Sequence, residues 1–140
     1  MPWMEFAFGE LLADVREVPG PGSNLRILEY LGTTNTPALG GDETSWCSAF
    51  TNWSLRMARV VGTNSAAARS WLKWGVPCEP RVGAVAVLWR ESQLSWKGHA
   101  AFVVGANGGA IHLLGGNQSD RVSIASFPMS RLLGCRMIHL

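Results

Sequence analysis

Charge is scarce in this chain. Ten acidic and twelve basic side chains among 140 residues leave a net charge of +2 and a charged fraction of 16%. So small a balance provides no electrostatic footprint for nucleic acid or an anionic membrane, and neither is expected as a partner. Long apolar runs are also missing. The opening MPWMEFAFGELLADVRE has no basic leader and carries Glu5 and Glu10 within its apolar part, so neither a secretory signal nor a membrane span is expected there. The chain is therefore expected to be made in the cytoplasm. Cysteines number three, Cys47, Cys78 and Cys135, with no C-x-x-C pair. That count argues against a disulfide scaffold or a zinc site and leaves only a Cys78 to Cys135 bridge open. No metal or cofactor is expected. No repeat or low-complexity linker divides the sequence, and 47% hydrophobic residues suffice for one core, so residues 1–140 are expected to form one domain.

What is present changes character along the chain. Trp3, Phe6, Ala7 and Leu11 place an apolar face on a first helix over Trp3 to Asp14, which the turn-rich VPGPGS ends. Asn24 is positioned to cap a second, short helix with Leu25, Leu28 and Leu31 on one side and Gly32 as its stop. Thr33 to Gly41 reads as a loop. Phe50, Trp53, Met57 and Val61 then recur at helical spacing after Trp46-Cys47, with Thr44 or Ser45 as the expected cap. A fourth helix is expected from Asn64 or Ser65 through Trp74, closed by Gly75-Val76-Pro77. The tryptophans at 46, 53, 71 and 74 have the spacing of core residues rather than of sugar-stacking platforms.

From Pro80 onward the pattern is extended. Gly83 to Arg90, Gly98 to Ala106 and Ala110 to Leu114 read as strands, the latter two joined by Asn107-Gly108-Gly109. Val122 to Ala125 and Cys135 to His139 are shorter candidates. Helices first and a mainly antiparallel sheet afterwards is an α+β layout.

One constellation points to chemistry. Cys47 lies at the start of its helix, where the dipole and free N–H groups favour a thiolate. Such a nucleophile needs a base, and the base needs a third group to hold its ring. His99 and Asn117 are equally distant from Gly108, so a hairpin centred there places them side by side. Gly115 and Gly116 allow close approach of other groups just before Asn117. Asp120 is the reserve candidate for orienting His99. His112 has the wrong parity for that face.

The order of a cysteine at a helix start, a histidine on a strand and a polar residue after the next strand resembles the papain-like cell-wall amidohydrolases of the NlpC and CHAP type. PGPGSN, SWCSAFTNW, ARSWLKWG, GHAAFVVG and LLGGNQSD resemble small bacterial and phage peptidoglycan hydrolases of that superfamily, across nearly the whole chain. The resemblance implies a papain-like fold with N-terminal helices on the sheet. It also implies hydrolysis of an amide in the peptide stem or cross-link of peptidoglycan, with Cys47 as nucleophile, His99 as base and then acid, and Asn117 orienting it. Papain-like peptidases also place a glutamine upstream of the cysteine as an oxyanion donor, and here no glutamine precedes Gln93.

A monomer acting in the periplasm or cell wall of a target cell is expected. Its setting would be that of an antibacterial toxin delivered by a type VI secretion apparatus, checked by a periplasmic immunity protein. Alternatives are a phage endolysin of the same chemistry, a protein acyltransferase or deamidase, and a non-catalytic wall-binding module.

Overall fold

The computed structural model describes residues 1–18, 23–35 and 46–138. Thr44 and Ser45, most of the Thr33 to Gly41 loop and His139 lie outside the described residues. Three α-helices, α1 (Pro2–Leu12), α2 (Leu25–Leu31) and α3 (Cys47–Met57), precede a six-stranded sheet. Its strands are β1 (Val76–Cys78), β2 (Val85–Trp89), β3 (Gly98–Asn107), β4 (Ala110–Gly115), β5 (Ser123–Pro128) and β6 (Leu132–Met137). All pairings are antiparallel and the strand order is β1-β6-β2-β3-β4-β5. The expected α+β architecture is therefore what the chain adopts, with α3 packed on β3 and β4 and with α1 and α2 packed on α3.

Local sequence explains where elements begin. Asn24 caps α2 as expected, its side chain accepting from the Arg26 N–H at 2.8 Å. The buried side of α2 differs from the expected one, however. Ile27, Tyr30 and Leu31 are inside, whereas Leu25 is exposed. Tyr30 sets that orientation. Its ring meets Trp46, Phe50 and Trp53, and its hydroxyl donates to Glu10 at 2.6 Å.

The cysteine helix is one turn shorter than its apolar spacing suggested. It ends at Met57, and Met57 and Val61 are exposed. The chain reverses through Arg59, at φ 61°, so that the following segment can satisfy α3's polar side. Asn52 accepts from the Asn64 N–H at 2.9 Å and donates to the carbonyls of Ser48 and Ser65, each at 3.2 Å. Ser48 donates to Ser65 O and accepts from the Trp71 indole at 2.8 Å.

The expected fourth helix shrinks to a 3-10 turn, Ala68–Lys73, because Asn64, at φ 56°, and Ser65 are bonded to the side chains of α3 instead. Trp46, Trp53 and Trp71 are buried and Trp74 is half-buried against Trp71, so these tryptophans are core. Val76-Pro77, expected to close a helix, instead starts an edge strand on β6, where the missing proline N–H is tolerated. Cys78 faces Cys135 across that pairing, and both are free thiols.

The hairpin turn is not centred where expected, and a bulge restores the expected register only further along. Asn107 faces Ala110, which centres the turn between Gly108 and Gly109. A bulge between Val103 and Gly105 then shifts the register by one, so Phe102 faces Leu114, as a turn centred on Gly108 requires. The ladder stops at Gly115, before it reaches Asn117.

Gly116, just after β4, packs closely against the start of α3. A Cβ there would lie 2.7 Å from Phe50 Cβ and from the Trp46 ring. Gly116→Ala should destabilise the protein by about 1–3 kcal/mol through overpacking. Gly9→Ala, in α1 with nothing within 4 Å of the added methyl, should stabilise it by up to about 1 kcal/mol. Urea denaturation of both variants checks the pair.

Candidate active site

Helix α3 begins at Cys47 with Trp46 at the N-cap and no side-chain cap. The Trp46 carbonyl accepts from the Phe50 N–H at 2.9 Å, closing the first turn. The Cys47 side chain is thus presented from the helix end that carries free N–H groups. It is 2% exposed. Beside it stands His99, the second residue of β3, 7% exposed.

The ring of His99 has two partners. Its Nε2 lies 2.8 Å from Gln118 Oε1, and the Cys47 thiol is its electrostatic partner, each group favouring the charged form of the other. Gln118 cannot turn its amide round. Its NH2 donates to Leu113 O at 3.1 Å and to Ser123 O at 2.7 Å, so only the oxygen is left for the ring. The network therefore assigns the hydrogen to Nε2. In the neutral ring Nδ1 is then the acceptor, and with Nε2 occupied it is the nitrogen left for Cys47. An unprotonated Nδ1 is the nitrogen that can take a proton from a neighbouring thiol.

Each member of this pair eases the ionisation of the other. Burial pushes the Cys47 thiol up, but the hydrogen bond and charge of His99, with the Ala100 and Ser48 backbone groups, outweigh it and lower the thiol below its ordinary value. Burial pushes His99 down, and Arg90 acts in the same direction. The Cys47 thiolate and Gln118 more than offset both, so the imidazole is raised. Cys135 behaves oppositely: burial, Cys78 and Glu79 push its thiol up to about 12.

The structure thus brings together Cys47 and His99 and gives the third position to Gln118 rather than to Asn117 or Asp120. Asn117, at φ 58°, has left the strand, so the alternation that put it beside His99 no longer applies. Asp120 is exposed; its carbonyl accepts from the Glu17 N–H at 2.8 Å. Ser119 and Asp120 are also at positive φ, and this winding turns the buried Gln118 back under β4. Gln118 was visible in the sequence only as part of a turn-like run. A signal existed in its chemistry, since an amide oxygen holds an imidazole equally well from Asn or Gln, but not in its spacing.

A cavity of about 480 Å³ opens on His99 and Gln118, lined also by Asn117, Asp120, Phe127, Arg90 and Arg131. The Phe127 ring lies 5.4 Å from that of His99. His112 is elsewhere, bonded to Asn107 and Ser126 near the hairpin tip. Among the described residues no three His, Cys, Asp or Glu side chains cluster as metal ligands, and no helix is long and apolar enough to cross a membrane.

No family model matches the chain, and no curated protein matches it. Among solved structures it is similar to a protein of Staphylococcus aureus subsp. aureus Mu50, described as similar to a lipoprotein of the NLP/P60 family. That similarity has a TM-score of 0.44 and 14% identity, and it covers 87% of this chain and 44% of that one. The chain spans less than half the length of that protein.

Alkylation of Cys47 as a function of pH tests the site directly. The rate should rise with a midpoint below that of an ordinary thiol, because the thiolate forms early. Gln118→Ala removes a bond that raises His99, so the imidazolium weakens and the midpoint should move up. Asn117→Ala and Asp120→Ala should move it less. Cys135 should react last.

Proposed function

We propose that the chain hydrolyses an amide bond in the peptide part of peptidoglycan by a papain-like cysteine mechanism. The observation that supports the chemistry most is the fixed orientation of His99: Gln118, locked by Leu113 and Ser123, leaves Nδ1 for Cys47. The substrate class rests on the sequence resemblance carried by SWCSAFTNW, GHAAFVVG and LLGGNQSD.

In this reading the Cys47 thiolate attacks the amide carbonyl and forms a tetrahedral intermediate. The Cys47 backbone N–H, at the start of α3, is one donor for its oxyanion. His99, protonated, gives its proton to the leaving amine, and a thioester remains on Cys47. His99 then takes a proton from water, which attacks the thioester and frees the acid product. Gln118 keeps the ring in register through both proton transfers. Its carboxamide cannot ionise, so its effect is orientation and a dipole rather than a full charge.

The setting we propose is a toxin acting in the periplasm of a target cell and held in check there by an inhibitor protein. Expression directed to the periplasm of a sensitive host should lyse it, and a neighbouring gene product should rescue it. Survival without rescue would count against this setting.

Hydrolysis of purified sacculi, followed by mass spectrometry of the released muropeptides, tests the reaction. Cys47→Ala and His99→Ala should abolish product, and Gln118→Ala should lower kcat/KM by about ten- to a thousand-fold. Product release by Cys47→Ala near that of the unaltered protein would overturn the mechanism. The pH dependence should be bell-shaped. Its acid limb follows ionisation of Cys47, below the usual thiol range, and its alkaline limb follows proton loss from His99, above the usual imidazole range.

A further inference from the structure

Two arginines stand where the cavity beside His99 meets a second one. Arg90 and Arg131 line both, and the second, of about 490 Å³, continues along Glu91, Trp96, Lys97 and Gly98. Their guanidinium groups are held differently. Arg131 is fixed: Nε and Nη2 donate to Trp89 O at 3.2 and 3.0 Å, and its plane lies over the Trp89 and Phe127 rings at 5.9 and 5.5 Å. That clamp leaves Nη1 without a partner among the described residues, on a group oriented by Phe127, the same ring that touches His99. Arg90 is exposed and has no side-chain hydrogen bond or ion pair among the described residues, although its charge is felt at His99.

Neither guanidinium is in an ion pair among the described residues, although the charge of Arg90 is felt at Glu91. Glu91, next to Arg90, is engaged by Lys97 at 2.8 Å. Asp120 lines the first cavity but forms no ion pair with either arginine among the described residues. Two cations on one side of a concave site, one of them immobilised by stacking and a carbonyl, carry unspent donors suited to a planar carboxylate.

We propose that Arg90 and Arg131 form a carboxylate-binding subsite, which selects substrates bearing a free carboxylate on a residue adjoining the amide that is cut. The inference rests on reading the cavity beside His99 as the substrate cleft, and it deepens the proposed function by naming what the cleft recognises. A carboxylate held there also offsets the push that Arg90 exerts against protonation of His99, so the correct substrate supports the imidazolium that protonates the leaving amine.

Two matched pairs of probes test this. The first pair is a stem peptide with free carboxylates and the same peptide with those carboxylates converted to carboxamides. The second is iodoacetate and iodoacetamide as alkylators of Cys47, which needs no hydrolysis. The ratio of acid to amide rates should exceed one for the peptides and exceed that of a free thiol for the alkylators, and each of Arg90→Gln and Arg131→Gln should lower it by about three- to ten-fold. Arg90→Lys, which keeps the charge, should retain part of the preference. Because Arg131 also braces Trp89, Arg90→Gln is the decisive variant for folding reasons.

Equal acid-to-amide ratios in the unaltered protein and in both glutamine variants would overturn the subsite. If sacculi and stem peptides are untouched yet the iodoacetate preference depends on Arg90 and Arg131, the subsite stands and the peptidoglycan reading falls. If peptides are cut without regard to their carboxylates and the alkylation ratio is insensitive to both arginines, the reading stands and the subsite falls.

Discussion

Nine of the eleven residues of α3 are buried, and a helix enclosed on that many sides must find partners for its polar side chains inside the protein. That requirement organises much of the chain. Phe50 and Trp53 take the apolar side, against Tyr30 and Phe102. Ser48 and Asn52 take the polar side and draw residues 63–65 and Trp71 onto the helix. Thr51 and Ser54 satisfy themselves by donating back to the carbonyls four residues earlier. With its flanks held in this way, the helix start is a rigid platform, and the Cys47 side chain is positioned by the core rather than by a loop.

Enclosure also explains the electrostatics. A thiol and an imidazole that are almost wholly removed from water would each stay neutral if buried alone. Together, and out of reach of screening solvent, each makes the charged form of the other cheaper. Gln118 contributes without adding a charge of its own, which avoids burying a third ion beside the pair. A carboxylate at that position would hold the imidazolium more strongly, but it would also compete with the thiolate for the same proton balance.

Much of this was legible in the sequence where a single local rule governed. Asn24 caps α2 because its side chain satisfies a free N–H two residues on, and no distant contact alters that. Cys47 at a helix start and His99 near a strand start were likewise read from patterning. The readings failed where tertiary contacts overrode local preference. The side of α2 that is buried was decided by Tyr30, whose hydroxyl needed Glu10. The fourth helix gave way to the needs of Ser48 and Asn52. The side chain bonded to His99 lies one position beyond the expected one, because strand alternation was extended past Gly115, where the chain had already turned. Gly115 and Gly116 did mark a close approach, with Ala101 and Gln118 crowding one and Trp46 and Phe50 the other.

The early end of β4 has a meaning beyond topology. Strand β3 is ten residues long, but β4 accompanies it only from Phe102 to Asn107, while residues 98 to 102 are paired with β2. Along its first residues β3 therefore has one free edge inside the protein, a condition that sheets normally avoid. Here that edge is put to use. The Ala100 backbone group, which a longer β4 would have claimed for the sheet, is directed at Cys47 instead and helps to hold its negative charge. Cys47 thus sits beside a gap in the ladder, and its backbone donor is a piece of unfinished secondary structure. Extending β4 by a few residues would complete the sheet and withdraw that donor from Cys47, so regularity of the fold and ionisation of the cysteine oppose each other at this edge.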